Sequence, residues 1–345
     1  MTEELVPRRE LARFFAREAP ELSGGFTVER LGEGQSCLTF MITGEGWRVV
    51  LRRPPRGDLP PSAFDVRREY RVMRALHDHG SPVPVPRPIL LCEDKDVIGA
   101  NFYLMEPVDG IVVRQELPDE LSSLEDRRAM SERLLDTLLA LQRVDHVAAG
   151  LETFGKPQGY LERQLQRMTQ LWELARFREL PDLEFVGKWL ADNLPSSNET
   201  TIVHGDYKLD NVIFAPSSPA QIVAVVDWEM STVGDPLADL GWLLYWWRDP
   251  GDSSFGLTVS SVMDKDGFPR RRELLQRYAT TSDRDVSTVR WYSALGGWKI
   301  AIIMEGSYRR FLAGIGDHPM FKELEWGVPA LAARARAAIE TDFGL

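Results

Sequence analysis

The stretch VHGDYKLDNVIF, residues 203–214, gathers His204, Asp206, Lys208, Asp210 and Asn211 within eight positions and then runs straight into apolar residues. A second stretch, IVAVVDWEMSTVGDPLADL (222–240), follows at once and ends an apolar run on Asp227. Asp and Asn commonly shape turns, so each stretch alone reads equally well as a hairpin strand with a polar turn. Taken together they read as two halves of one site. If adjacent antiparallel strands bring Asn211 and Asp227 side by side, an amide oxygen and a carboxylate form a hard oxygen pair. Such a pair suits Mg²⁺, which takes few protein ligands beside phosphate oxygens. Asp206, five residues before Asn211, would sit near that ion without having to bind it. A carboxylate so placed can accept the proton of an attacking hydroxyl.

The 345-residue chain is 43% apolar and 27% charged, enough for a large core and for two lobes. Its formal net charge is −11, and the excess is concentrated after residue 110. An acidic chain is poorly suited to gripping nucleic-acid phosphates, so no nucleic-acid partner is expected. The acidic part would attract a cationic ligand, or serve only as a solubilising surface. The two cysteines, Cys37 and Cys92, lie far apart and form no CxxC, which fits a reducing compartment and neither a disulfide framework nor a zinc site. The N-terminal stretch MTEELVPRRELARFF is charged from residue 3, and no apolar run reaches membrane-spanning length; SALGGWKIAIIMEGS is cut by Lys299 and Glu305. The expectation is a cytoplasmic protein with no membrane partner.

Residues 26–54 hold three β-prone runs, 26–31, 37–42 and 47–52, separated by Gly-bearing turns as in an antiparallel meander. DVRREYRVMRALHDHG then sets Val66, Tyr70, Met73 and Leu76 at helical spacing, with Gly80 as a stop. SPVPVPRP is extended because of its prolines, and NFYLMEPVDG reads as a strand entering a turn. From 119 onward amphipathic helices dominate. The fold class is therefore α+β: a small antiparallel β-rich lobe, residues 1–106, and a larger mainly helical lobe, residues 107–345.

The pattern His204-x-Asp206-x-x-x-x-Asn211, followed by Asp227 after an apolar run, resembles the catalytic and metal-binding loops of the protein-kinase-like fold. The form HGDYKLDNVIF…VVDWEMSTVGDPLADLGW resembles the aminoglycoside phosphotransferase and choline kinase branch in particular. The resemblance implies Asp206 as catalytic base, Asn211 and Asp227 as Mg²⁺ ligands, His204 as a structural residue of the loop and Asp239 as its brace. It also implies ATP or GTP as phosphate donor. In LGEGQSCLTFMI (31–42) the turn would approach phosphates through Gly32 and Gly34, with Ser36 donating to one; the full G-x-G-x-x-G pattern is absent. The next strand should supply a phosphate-binding cation. Arg52 stands where protein kinases carry Lys, and Arg53 competes because a one-residue slip turns it to the other face. Glu69 is the natural partner of that cation; otherwise it is a solvated helix charge. Met105 and Glu106 fall at the hinge, beside the adenine.

The sequence further resembles a subgroup whose relatives occur fused to acyl-CoA dehydrogenase domains, which implies a hydroxyacyl compound or another non-antibiotic molecule as acceptor. An aminoglycoside acceptor is a narrower alternative, and a non-catalytic pseudokinase that only binds nucleotide is a rival of another class. Three other signals are set aside. GLETFGKP (150–157) nearly spells a P-loop but has Pro157 where a hydroxyl is needed and follows a helix. His77 and His79 lie at a helix end without ligand partners. Trp242, Trp246 and Trp247 fit core packing. The polar stretch 248–272 reads as a long irregular loop of the kind that forms lids or contacts substrate.

Overall fold

The computed structural model describes residues 2–32, 37–56, 65–197, 199–252, 262–315, 320–341 and 343. They form two compact units, one of residues 1–109 with 223–231 and one of residues 110–222 with 232–345.

In the first unit α1 (Thr2–Leu5) and α2 (Arg8–Glu18) precede β1 (Phe26–Leu31), β2 (Leu38–Gly44) and β3 (Trp47–Arg53). Then come α3 (Val66–Asp78), β4 (Pro88–Cys92), α4 (Lys95–Ile98) and β5 (Phe102–Met105). The strands make one antiparallel sheet in the order β1-β2-β3-β5-β4. Successive side chains of a strand point to opposite faces. Val49 and Leu51 of β3 therefore join Phe40, Ile42, Phe102 and Leu104 in a core closed by Leu11, Phe14 and Phe15 of α2. Val50 and Arg52 take the other face. Leu51 lies opposite Phe40 and Leu104, and Arg52 opposite Thr39 and Tyr103. Helix α3 starts where the Asp65 carboxylate accepts the Arg67 N–H at 3.1 Å, a cap of ~1 kcal/mol. It buries Val66, Glu69, Val72, Met73 and Leu76. The helical spacing held, except that Tyr70 is only partly buried and a glutamate occupies the buried stripe.

The second unit is mainly helical. It contains α5 (Leu124–Arg143), α6 (Tyr160–Ala175), α7 (Pro181–Asp192), β6 (Thr201–Val203) and β7 (Val212–Phe214). After β8 (Ile222–Val225), most of which belongs to the first unit, follow β9 (Thr232–Gly234), α8 (Leu237–Trp246), α9 (Arg271–Ser282), α10 (Val289–Leu312) and α11 (Met320–Glu340). Strand β6 pairs with β9, with Ile202 opposite Val233. Helix α10 is the centre, packing against α6, α7, α8 and α11. Among the described residues no helix is long and apolar enough to cross a membrane.

Part of the stretch expected to be an irregular loop is built into this unit. Arg248 and Arg271 are buried, Arg248 paired with Asp264 at 3.1 Å and Arg271 with Asp252. Helix α9 already begins at Arg271. Buried guanidinium groups need such carboxylate partners, so these pairs anchor the two described ends of the stretch. Residues 253–261 lie outside the described residues.

Candidate active site

In the first unit the site residues gather around Arg52. Its Nε donates to Glu69 Oε2 at 2.6 Å and its Nη2 to Asp227 Oδ1 at 2.8 Å. The Tyr103 hydroxyl donates to the same Glu69 oxygen at 3.0 Å. The pleat sets the two arginines apart. Arg52 shares the face of Tyr103 and α3, whereas Arg53 points to the opposite face and donates to the carbonyls of Leu5, Pro54 and Ile98. Glu69 is 1% exposed, so it is neither a solvated helix charge nor half of an exposed ion pair. Burial pushes its carboxyl upward, with Arg52 pulling the other way. Burial likewise works against the Arg52 charge, yet Glu69, Tyr103 and Asp227 raise its pKa well above the ordinary value. Asp227 adopts the left-handed conformation at φ 67°. A non-glycine residue held there is strained, a feature that recurs at functional sites.

The Cys37 sulfur and carboxylate oxygens of Glu69 and Glu229 lie within 4.8 Å of one another. Burial pushes the Cys37 thiol far up, so it stays protonated. Arg52 already supplies positive charge there, and the group reads as the surroundings of the ion pair. Of the turn residues, Gly32 is a bend at φ 68°, while Gly34 and Ser36 lie outside the described residues. Met105 ends β5 opposite Val50 and Pro88. The Glu106 N–H donates to the Arg87 carbonyl at 2.9 Å, and its side chain pairs with Arg87.

In the second unit the loop after β6 carries the other set. Gly205 sits at φ 86°, a conformation glycine takes at no steric cost. The turn so formed aims two consecutive backbone donors at Asp239 of α8, which accepts from His204 N at 2.7 Å and Gly205 N at 2.8 Å. Burial pushes Asp239 upward, and His204 with those two N–H groups opposes it. His204 is fully buried, and its Nδ1 accepts the Asp206 N–H at 3.2 Å.

The Asp206 carboxylate is engaged on both oxygens. Lys208 Nζ donates to Oδ1 at 3.0 Å and Oδ2 at 2.9 Å, Asn211 Nδ2 to Oδ2 at 2.7 Å, and Trp242 Nε1 to Oδ1 at 2.9 Å. With its nitrogen committed, Asn211 keeps its amide oxygen as the acceptor end. Sequence reasoning missed Lys208 and assigned Trp242 to packing. The available signals were the placement of Lys208 two residues from Asp206 and of Trp242 one turn from the brace Asp239.

A β-rich unit built on an arginine–glutamate pair, and a helical unit presenting a braced His-Gly-Asp loop, together define a protein-kinase-like fold of the phosphotransferase type. The sequence profile of the phosphotransferase enzyme family matches residues 27–274, and the chain belongs to that family. It is 36% identical over 84% of its length to acyl-CoA dehydrogenase family member 11 of Rattus norvegicus, and spans 37% of that longer relative. Among solved structures, a Ralstonia eutropha protein assigned to the aminoglycoside phosphotransferases is 31% identical with a TM-score of 0.78, covering 95% of this chain and 97% of its own. A thermostable mutant of the aminoglycoside phosphotransferase APH(4)-Ia, in ternary complex with AMP-PNP and hygromycin B, shares the fold at 15% identity with a TM-score of 0.60, over 96% and 99% of the two chains.

Proposed function

We propose that the chain is a small-molecule kinase that moves the terminal phosphate of Mg²⁺-bound ATP or GTP to the hydroxyl of a small acceptor, with Asp206 as the base. The observation that carries this reading is Asp206 itself, a carboxylate oriented by three side-chain donors on a loop tied to Asp239. The donor chemistry fits the ion: Asn211 offers an amide oxygen, and Asp227 has one carboxylate oxygen outside its bond to Arg52. Both are hard oxygen ligands of the kind Mg²⁺ prefers. When bound, the ion neutralises phosphate charge. Arg52 is the cation that binds the phosphates, and Glu69 and Asp227 fix its direction. The acceptor oxygen bonds to the terminal phosphorus, the bond to the bridging oxygen breaks, and the hydroxyl proton passes to Asp206. The products are a phosphorylated acceptor and the nucleoside diphosphate.

For the acceptor, the acyl-CoA dehydrogenase relatives favour a hydroxyacyl compound. Hygromycin B, bound by the APH(4)-Ia mutant, makes an aminoglycoside the alternative. Calorimetric titration of ATP and GTP with and without Mg²⁺, into wild type and Asp227→Ala, tests the donor half of the proposal. Saturable binding that needs both the ion and Asp227 is expected; no binding of either nucleotide would overturn it. Asp206→Asn should bind nucleotide as wild type does and lose transfer by roughly 100-fold or more. Binding by the wild type without turnover on any hydroxylated acceptor would favour the non-catalytic pseudokinase.

A further inference from the structure

We propose that Trp242 is a positioning residue for Asp206, its indole N–H fixing one carboxylate oxygen so that the base keeps its direction when Lys208 lets go. The inference rests on Asp206 being the base. Residues three and seven apart on a helix lie on one face, and α8 presents Asp239, Trp242 and Trp246 in that spacing. The stripe meets the loop in step. Asp239 holds the backbone of His204 and Gly205, Trp242 holds the side chain of Asp206, and the Trp246 ring lies 6.0 Å from Lys208 Nζ. One face of one helix therefore registers loop residues 204 to 208 in sequence order.

The three donors on Asp206 differ in freedom. Trp242 is 4% exposed, stands edge-on to Trp246 with centroids 5.8 Å apart, and lies against Gly296 of α10. Asn211 is also buried and holds the Asp206 carbonyl with the same amide nitrogen at 2.7 Å. Lys208 sits on a flexible four-carbon stem and is 22% exposed. Each Asp206 oxygen already accepts two hydrogen bonds, so taking a hydroxyl proton requires a donor to withdraw. Lys208 is the one able to do so. Without Trp242, Oδ1 would then lose its last fixed donor, and the carboxylate would be held only by Asn211 at Oδ2. Small misplacements of reacting groups cost on the order of tenfold to a hundredfold in rate.

Two measurements on the full chain test this. In ¹⁵N-tryptophan-labelled protein the Trp242 indole resonance, assigned through its own backbone, should move when Asp206 is changed to Ala, while the resonance of Trp228, in the first unit, stays in place. A Trp242 resonance indifferent to that change overturns the contact. Trp242→Phe keeps the ring and removes the N–H. With Mg²⁺-ATP and water as acceptor, it should lower kcat about tenfold or more at unchanged KM for nucleotide. An unchanged kcat overturns the positioning role. A wild type that binds nucleotide but transfers phosphate neither to water nor to any hydroxylated acceptor defeats the assignment of Asp206 and the role built on it, even if the resonance moves. An unmoved resonance beside normal hydrolysis defeats the role of Trp242 alone.

Discussion

Arg52 is joined to carboxylates 17 and 175 residues away, Glu69 and Asp227. A lysine has a single point donor where arginine has a planar fork, so Arg52→Lys loses the geometry that reaches both carboxylates. It leaves the buried Glu69 carboxylate short of a donor, and a cost of about 2 kcal/mol is expected from a lost hydrogen bond to a charged group, measurable as a lower urea midpoint. Lys299 is the opposite case. Burial lowers its pKa from the ordinary 10.5 to about 8, Arg167 adding to the effect while Asp239 and Asp206 oppose it. Between those values the unfolded chain binds a proton that the folded chain does not, so this group makes stability rise with pH from about 8 to 10.5. Below 8 its charge is a standing cost. Lys299→Met should therefore raise stability at pH 7 by about 1–3 kcal/mol, and the gain should fade above pH 10 in paired denaturation curves. At this scale the sequence was partly legible. HGDYKLDN announced the loop because its chemistry is contiguous, and the strand alternation left Arg52 and Arg53 as the two choices. What sequence could not supply was which arginine pairs with Glu69, nor the burial of Glu69, because both depend on which face of β3 meets α3.

Helix α8 is the element on which the loop depends, and α10 is what holds α8. At Gly241 a Cβ would stand 2.4 Å from the Tyr292 Cβ and 2.6 Å from its backbone carbon. Backbone cannot step aside as a flexible side chain can. Gly241→Ala should therefore cost about 1–3 kcal/mol, the range of overpacked cores, despite alanine's better helix propensity. Thermal melts would show it, and a variant as stable as wild type would mean that the two helices can separate freely. Elements were the most legible scale. The strand expected at 26–31 matches β1, and that at 47–52 matches β3 to within a residue. Trp242 escaped because an apolar ring in an apolar helix carries no mark of its polar edge, and the buried arginines escaped because a run of charges looks solvated until its carboxylate partners are found elsewhere in the chain.

At the scale of the whole molecule, the first unit is not continuous in sequence: residues 223–231 belong to it. That segment contributes Asp227 to Arg52, fully buried Trp228, and the Val225 N–H, which bonds the Pro84 carbonyl at 2.8 Å. A fragment of residues 1–109 lacks all three. It should fail to fold alone, with exchange-broadened amide spectra, and recover ordered dispersion when residues 223–231 are appended through a glycine-serine linker. A well-dispersed spectrum from the bare fragment would show the segment to be dispensable. Sequence reading placed a single boundary after 106, because a cut in the chain is visible where prolines and turns cluster, whereas a return of the chain leaves no compositional trace.

The discontinuity bears on how the protein is made. A ribosome releases the β-rich part first, but about 120 further residues must be synthesised before the segment around Asp227 emerges, roughly 6–24 s at ordinary elongation rates. Through that interval the β-rich part lacks the Asp227 partner of Arg52 and the buried Trp228, so it stays unfolded. The nascent chain is most exposed to proteases and to chaperones then, and variants that weaken the β-sheet core should show their defect first as lost yield and only second as lost activity.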